Sequence, residues 1–311
     1  MNKKMFRKLV IFAIIILSLV LVGCQKSEKS ASDTDKPYSV VATIGMIGDI
    51  ATNLAAEYVE VTTLMGAGVD PHLYKASAND VKLLHNADLI LYGGLHLEGK
   101  MSDVLDSLSA TKRTVAASEA IPDEHLIGHA GSYDPHVWFD VSLWLHAVEA
   151  VYNSLIDLLP EHTTEITKNY ESYRAQLEQL HAYVQETSNT LNKEQRVLIT
   201  AHDAFEYFGR AYDFEVRGLQ GTSTVSEAGT RDVQDLAQYI VDHKIKAIFI
   251  ESSVPVKTIQ SLQEAVKAKG FNVVIGGELF SDAMGDTGTK EGTYIGMVEH
   301  NINTIVSALA L

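Results

Sequence analysis

From Pro37 onward the chain alternates short apolar runs with stretches in which apolar positions recur every three or four residues. Runs at 40–44, 59–64, 88–92 and 113–115 have the weighting of strands, and the stretches at 49–56, 78–85 and 96–108 between them carry a helical period. Strand and helix in alternation predict a parallel sheet covered by helices. A second series repeats the unit, with strands at 196–200, 214–218, 246–251 and 272–275 and helices near 204–212, 231–243 and 255–269.

Between the two series Ile166, Tyr170, Tyr173, Leu177, Leu180 and Val184 recur at spacings of three and four, charged residues fill the gaps, and no glycine or proline follows Pro160 before residue 191. The pattern predicts one helix over 160–191, about 30 residues and about 45 Å long at the α-helical rise. A coiled-coil strand is the competing reading, but its seam would be short and would carry three tyrosines. The fold class expected is therefore α/β: two lobes, 37–159 and 192–311, each a short parallel sheet covered by helices, joined by one long rigid helix. Such a helix is a stiff connection, unlike the extended crossovers that allow wide hinge closure.

Ahead of these lobes, Lys3, Lys4, Arg7 and Lys8 precede an apolar run at 9–22 broken by Ser18. Fourteen residues fall short of the ~20 that span a bilayer, so the run reads as the core of a secretory signal at 1–23. Leu21-Val22-Gly23-Cys24 resembles a bacterial lipobox, which makes Cys24 the lipid acceptor and first mature residue. The polar stretch to Lys36 reads as a flexible tether, 24–36. The mature protein is then expected on the extracytoplasmic face of the cell membrane, held through its lipid.

With 46% hydrophobic and 21% charged residues, wholesale disorder is excluded. Forty acidic against 25 basic residues give a net charge of −15, so nucleic acid is not an expected partner. Loss of 1–23 removes four positive charges and no negative one, deepening the imbalance. A single cysteine excludes a disulfide framework, a thiolate zinc cluster and an iron-sulfur centre. Any metal must be held by imidazole and carboxylate.

Those groups gather where strands should end. Asp70-Pro71-His72 follows the second strand of the first lobe, and Asp134-Pro135-His136 follows its fourth across a loop at 118–133. Proline fixes its own φ and drives the residue before it toward extended backbone, so each tripeptide presents an imidazole from a stiff base. A third histidine, His202, follows the first strand of the second lobe. In open α/β sheets ligands bind beyond the carboxyl ends of the strands, where all three should meet. The glycine-flanked stretch after the last strand offers a carboxylate from Asp282, with Glu278 and Asp286 as alternatives. Three imidazoles and one carboxylate suit a divalent transition metal. Glu251, ending a strand, is a candidate acceptor for an imidazole N–H. His85, His96, His146, His162, His181, His243 and His300 lie on helical or solvated stretches and read as ordinary, and His125 and His129 are too few for a metal-scavenging tract. Gly93-Gly94 and Gly276-Gly277 match no phosphate-binding spacing and read as turn glycines.

Gly68-Val69-Asp70-Pro71-His72-Leu73-Tyr74, Gly94-Leu95-His96-Leu97-Glu98, Asp134-Pro135-His136-Val137-Trp138-Phe139, Thr200-Ala201-His202-Asp203-Ala204-Phe205, Phe249-Ile250-Glu251-Ser252-Ser253 and Phe280-Ser281-Asp282-Ala283-Met284-Gly285 stand out together. Across essentially the whole mature chain they resemble the signatures of the metal-binding lipoproteins of ATP-driven manganese and zinc importers, the cluster A-I solute-binding proteins with TroA-like and MntA-like members. The resemblance implies His72, His136, His202 and Asp282 as ligands, with the metal between two lobes joined by a long helix. Many manganese members carry glutamate where this chain has His202, and many zinc members carry a long His-rich loop that 118–133 lacks.

The function expected is that of a lipid-anchored solute-binding protein that captures Mn2+ outside the cell and delivers it, as a monomer, to an ABC permease and its ATPase. Zn2+, or both ions, is the alternative cargo. A zinc hydrolase is a distant alternative: the chain has no HExxH helix, and four protein ligands leave no open position for water, so no enzyme is expected. A surface adhesin is the other, since binding surfaces leave no motif.

Overall fold

The structure, a computed structural model, describes residues 37–129 and 131–310; the expected signal segment, the tether and Cys24 lie outside the described residues. The chain enters through β1 (Tyr38–Ile44), whose residues from Val40 onward are buried, as befits a strand covered on both faces. Helix α1 (Gly45–Ala55) leads to β2 (Val59–Met65). Helix α2 (Ala78–Asn86) starts at a reciprocal cap in which the Ser77 side chain accepts the Asp80 N–H and the Asp80 side chain accepts the Ser77 N–H. With β3 (Leu89–Tyr92) and β4 (Thr114–Ala116) these strands form one parallel sheet in the order β2-β1-β3-β4. The βαβα expectation therefore holds, and because all the strands are parallel the carboxyl ends of the two edge strands, β2 and β4, lie at the same end of the sheet.

The expected helix at 96–108 is shorter, α3 (Ser102–Ser109). Residues 93–98 are spent on a turn around the buried Glu98 carboxylate, which accepts the Thr43 hydroxyl (2.6 Å) and the N–H groups of Gly93 (2.7 Å) and Gly94 (3.3 Å). Gly94, Leu95 and His96 all take positive φ there, at 82°, 52° and 64°, so His96 lies in a turn and on no helix. The loop at 118–133 contains short 3₁₀ turns and a small hairpin of β5 (Gly128–His129) and β6 (Ser132–Tyr133).

Helix α4 (Val141–Leu158) had no counterpart in the hydropathy pattern. Val141, Trp144, Ala147, Val148, Val151 and Leu155 are buried on one face at spacings of three and four, and Leu145, Tyr152 and Ile156 extend the apolar arc beyond that face. The long helix is α5 (Thr163–Ser188), preceded by a 3₁₀ turn over Pro160–His162. Its 26 residues span about 39 Å. The expected stripe faces inward: Ile166, Tyr173, Leu177, Leu180 and Val184 are buried. Polar anchors join it to both lobes, through Asn169 Nδ2 to the Leu54 carbonyl (3.0 Å), Tyr173 Oη to Asp49 (2.9 Å) and Tyr183 Oη to Asn303 (2.8 Å).

The second lobe runs β7 (Val197–His202), α6 (Glu206–Tyr212), β8 (Glu215–Gln220), α7 (Thr230–His243), β9 (Ala247–Glu251), α8 (Lys257–Ala268), β10 (Val274–Leu279) and α9 (Tyr294–Leu309). Its strands pair as two parallel ladders, β7 with β8 and β9 with β10, and β7 lies beside β9. Gly276 and Gly277 are not turn glycines: they lie inside β10, where the register shifts. A Cβ on Gly276 would stand 2.6 Å from the Ala308 Cβ and one on Gly277 2.5 Å from Thr304 Cγ2, so their lack of side chain lets α9 lie against the strand.

The lobes share apolar packing. The larger cluster runs from Val40 and Ile90 through Trp144 and Leu177 to Phe205, Phe249 and Ile305; the smaller, around Ile199, Ile240, Ile248 and Leu262, fills the space under α7 and α8. Tyr38–Leu311 is consequently one compact unit. No helix among the described residues is long and apolar enough to cross a membrane.

Candidate metal centre

His72 and His136 lie beyond β2 and β4, His202 ends β7, and Asp282 follows β10. All four are buried, and one donor atom from each lies within 4.8 Å of every other. His136 Nε2 stands 3.3 Å from His72 Nε2 and 3.4 Å from His202 Nε2. Asp282 aims Oδ1 at His136 Nε2 (3.2 Å) and Oδ2 at His202 Nε2 (3.3 Å) and His72 Nε2 (3.7 Å). A tetrahedral cation with ~2.1 Å bonds needs donors about 3.4 Å apart, which is the spacing found. Both Asp282 oxygens are buried without a hydrogen-bond partner, a costly state that a cation would relieve. The alternatives fall away: Glu278 and Asp286 are exposed and outside this cluster.

Two of the imidazoles are held from behind. His202 Nδ1 lies 2.6 Å from Glu251 Oε2, and the His202 N–H donates to Glu251 Oε1 at 2.9 Å, so Glu251 acts as the acceptor expected of it. Asp134 serves His136 in the same way from two residues upstream, taking the ring Nδ1–H (2.7 Å) and the backbone N–H (2.9 Å) on Oδ1. Each carboxylate fixes the tautomer that leaves Nε2 free as a donor to metal. Asp70 also accepts its histidine's N–H (2.8 Å), but its second oxygen accepts the Thr224 hydroxyl (2.6 Å) from the far lobe. The roles of Asp134 and Thr224 escaped the sequence reading. For Asp134 the signal was present in the tripeptide, where a carboxylate two residues before a turn histidine can reach back to it. For Thr224, separated from Asp70 by 154 positions, there was none.

The surroundings pull the imidazoles apart in proton affinity. Burial lowers His72 to about 4, against the favourable charge of Asp282. Burial also opposes protonation of His136, yet the Asp134 and Asp282 carboxylates outweigh it and push His136 up to about 9. His202 is likewise raised well above its ordinary value, Glu251 and Asp282 overcoming burial. Burial would raise Asp282, but His202 and His136 hold it well below the usual carboxylate range. Without metal, the centre therefore holds an ionised carboxylate beside two imidazoles, His136 and His202, that bind protons strongly, while His72 stays neutral; a divalent ion would displace the protons of the first two.

Three of the other histidines are engaged elsewhere. His162 stacks on Tyr58 and His243 on Tyr239, both with ring centroids 3.9 Å apart, and His300 Nε2 lies 3.0 Å from the Glu278 carbonyl.

A buried cage of three imidazoles and one carboxylate, at the strand ends of two α/β lobes joined by a long helix, defines a metal-binding solute-binding protein. The family model described as "ZnuA: Zinc-uptake complex component A periplasmic" matches residues 40–308, and the chain belongs to that family. It is 57% identical over 283 residues to the zinc-binding protein TroA of Treponema pallidum (strain Nichols), covering 91% of this chain and 92% of that protein. It is 47% identical over 299 residues to the manganese-binding lipoprotein MntA of Bacillus subtilis (strain 168), covering 96% and 97% of the two chains. The solved structure of the periplasmic zinc-binding protein TroA of Treponema pallidum superposes with a TM-score of 0.87 at 57% identity, over 88% of this chain and 99% of that one. The first relative is thus named for binding zinc and the second for binding manganese.

Proposed function

We propose that this chain is the extracytoplasmic, lipid-anchored component of an ABC importer, that it binds Mn2+ through His72, His136, His202 and Asp282, and that it hands the ion to a membrane permease driven by an ATPase. The observation that carries the reading is the buried cage itself, whose four donors face one another with both Asp282 oxygens unpartnered. Those two oxygens are split among the three imidazoles. A carboxylate placed in that way can bind through both oxygens and raise the coordination above four, which Mn2+ accepts readily and structural zinc sites seldom need. Anchoring follows from Cys24 after an apolar leader, with 1–23 removed and 24–36 as tether, ahead of lobes at 37–159 and 192–311 around the linking segment 160–191. The name of the B. subtilis relative, a lipoprotein, supports it.

Zn2+ is the second reading, favoured by the higher identity to a protein named for zinc. Imidazole suits zinc at least as well, and the Irving-Williams order ranks Mn2+ below Zn2+ at a given site. Affinity and transport must therefore be measured separately. With buffered free ions, Zn2+ should raise the melting temperature at least as much as Mn2+; a hundredfold excess over Kd adds about 2.7 kcal/mol. In a deletion strain, labelled Mn2+ uptake should fall and return with the gene. Zinc uptake that depends on this chain and exceeds manganese uptake would transfer the assignment to Zn2+.

A further inference from the structure

The site is bound together unevenly. On the side of His136, buried bonds tie the two lobes to each other: Tyr207 Oη donates to the Asp134 carbonyl (3.0 Å), Trp138 Nε1 to the Ser281 carbonyl beside Asp282 (3.1 Å), and Tyr294 Oη to the Trp138 carbonyl (2.7 Å). His136, His202 and Asp282 are thus held by one cross-braced block, with Asp134 and Glu251 behind two of the rings. His72 stands apart from that block on the turn after β2. Among the described residues, the hydrogen bond that joins this turn to the far lobe is the one from Thr224 Oγ1 to Asp70 Oδ2, at 2.6 Å. Thr224 is 8% exposed, in the stretch between β8 and α7 that has no regular structure. Asp70 uses its other oxygen to hold the His72 N–H, so a single carboxylate connects the Thr224 hydroxyl to the backbone of a metal-facing histidine.

We propose that Thr224 is a positioning residue for metal retention: its hydroxyl, through Asp70, locks His72 over the ion, and breaking that bond opens the cage at His72 while leaving the other three donors in place. The proposal rests on the reading of the cage as a metal site. A bond to an ionised carboxylate is stronger than an ordinary hydrogen bond, and losing it affects departure of a bound ligand more than its arrival.

Release of Zn2+ or Mn2+ to an excess of chelator, followed by stopped flow, tests this. Thr224→Val, which keeps the shape and removes the hydroxyl, should accelerate release by about tenfold with the association rate unchanged. Thr224→Ser, which keeps the hydroxyl, should release at the wild-type rate. In a His72→Ala background Thr224→Val should change release no further, because the lock acts through His72; a general structural role would add its effect there too. Release from Thr224→Val within twofold of wild type, equal acceleration by Ser and Val, or full additivity with His72→Ala would each overturn the proposal. Wild-type protein that takes up neither ion would instead overturn the metal-site reading beneath it.

Discussion

The turns at 70–72 and 134–136 have the same three residues, and in both the aspartate accepts the backbone N–H of its histidine, at 2.8 and 2.9 Å. Beyond that they diverge. Asp134 turns inward to its own imidazole, while Asp70 sends its free oxygen to Thr224 in the other lobe. The histidines diverge with them, His136 raised to about 9 and His72 lowered to about 4. A short motif can therefore specify a local turn and the direction of a side chain without specifying what that side chain is for. The neighbour that happens to stand behind the carboxylate decides whether it orients a ring or fastens a loop.

The largest effect should come from the donors themselves. Replacing His72, His136, His202 or Asp282 singly with Ala should weaken metal binding by more than about tenfold, with His136 and Asp282 costing more than His72 because they belong to the cross-braced block. His85→Ala and His243→Ala should bind normally by titration calorimetry. Equal losses at His72 and His136 would break the asymmetry.

Next in size is the carboxylate behind His136. Asp134→Asn should lower affinity about tenfold, since the amide can no longer hold the ring in one tautomer as a carboxylate does. An affinity unchanged in Asp134→Asn would leave the two turns equivalent.

The pH dependence of the metal-free protein gives a smaller effect with opposite signs at the two turns. His136 lies above its unfolded value of 6.5, so its contribution is complete below pH 6.5 and is lost as pH rises toward about 9. His72 lies below 6.5, so stability instead falls as pH drops from 6.5 toward about 4. Melting curves in chelator should show His136→Gln flattening the alkaline limb and His72→Gln the acid limb. Added metal should stabilise increasingly toward pH 9, as protons cease to compete with it.

The smallest change should be in overall shape. Helix α5 is anchored to both lobes and the larger apolar cluster runs through them, so no wide hinge is available. Scattering curves with and without metal should give nearly the same radius of gyration; a large difference would show that the cross-braced block is not rigid.

Periodicity and motif carried the chain far: the alternating strands and helices, the stripe on α5, and three histidines and a carboxylate at strand ends were all legible because each is local or repeats at a fixed spacing. Helices α4 and α9 were not, since apolar side chains outside the buried face, Leu145, Tyr152 and Ile156 on α4 and Ile295 and Val306 on α9, blur the contrast by which a helix is recognised. Gly276 and Gly277 looked like turn residues because nothing in the sequence announces that α9 lies against them. The turn around Glu98 replaced part of a helix for a similar reason, its carboxylate finding Thr43 from another strand. The choice of Asp282 over Glu278 and Asp286, the backing of each imidazole, and the Thr224 bond to Asp70 all depend on which distant segments pack together. A sequence states the type of chemistry each residue can perform; distances between residues far apart along the chain are set by the packing of the whole, and only those distances turn donors into a site.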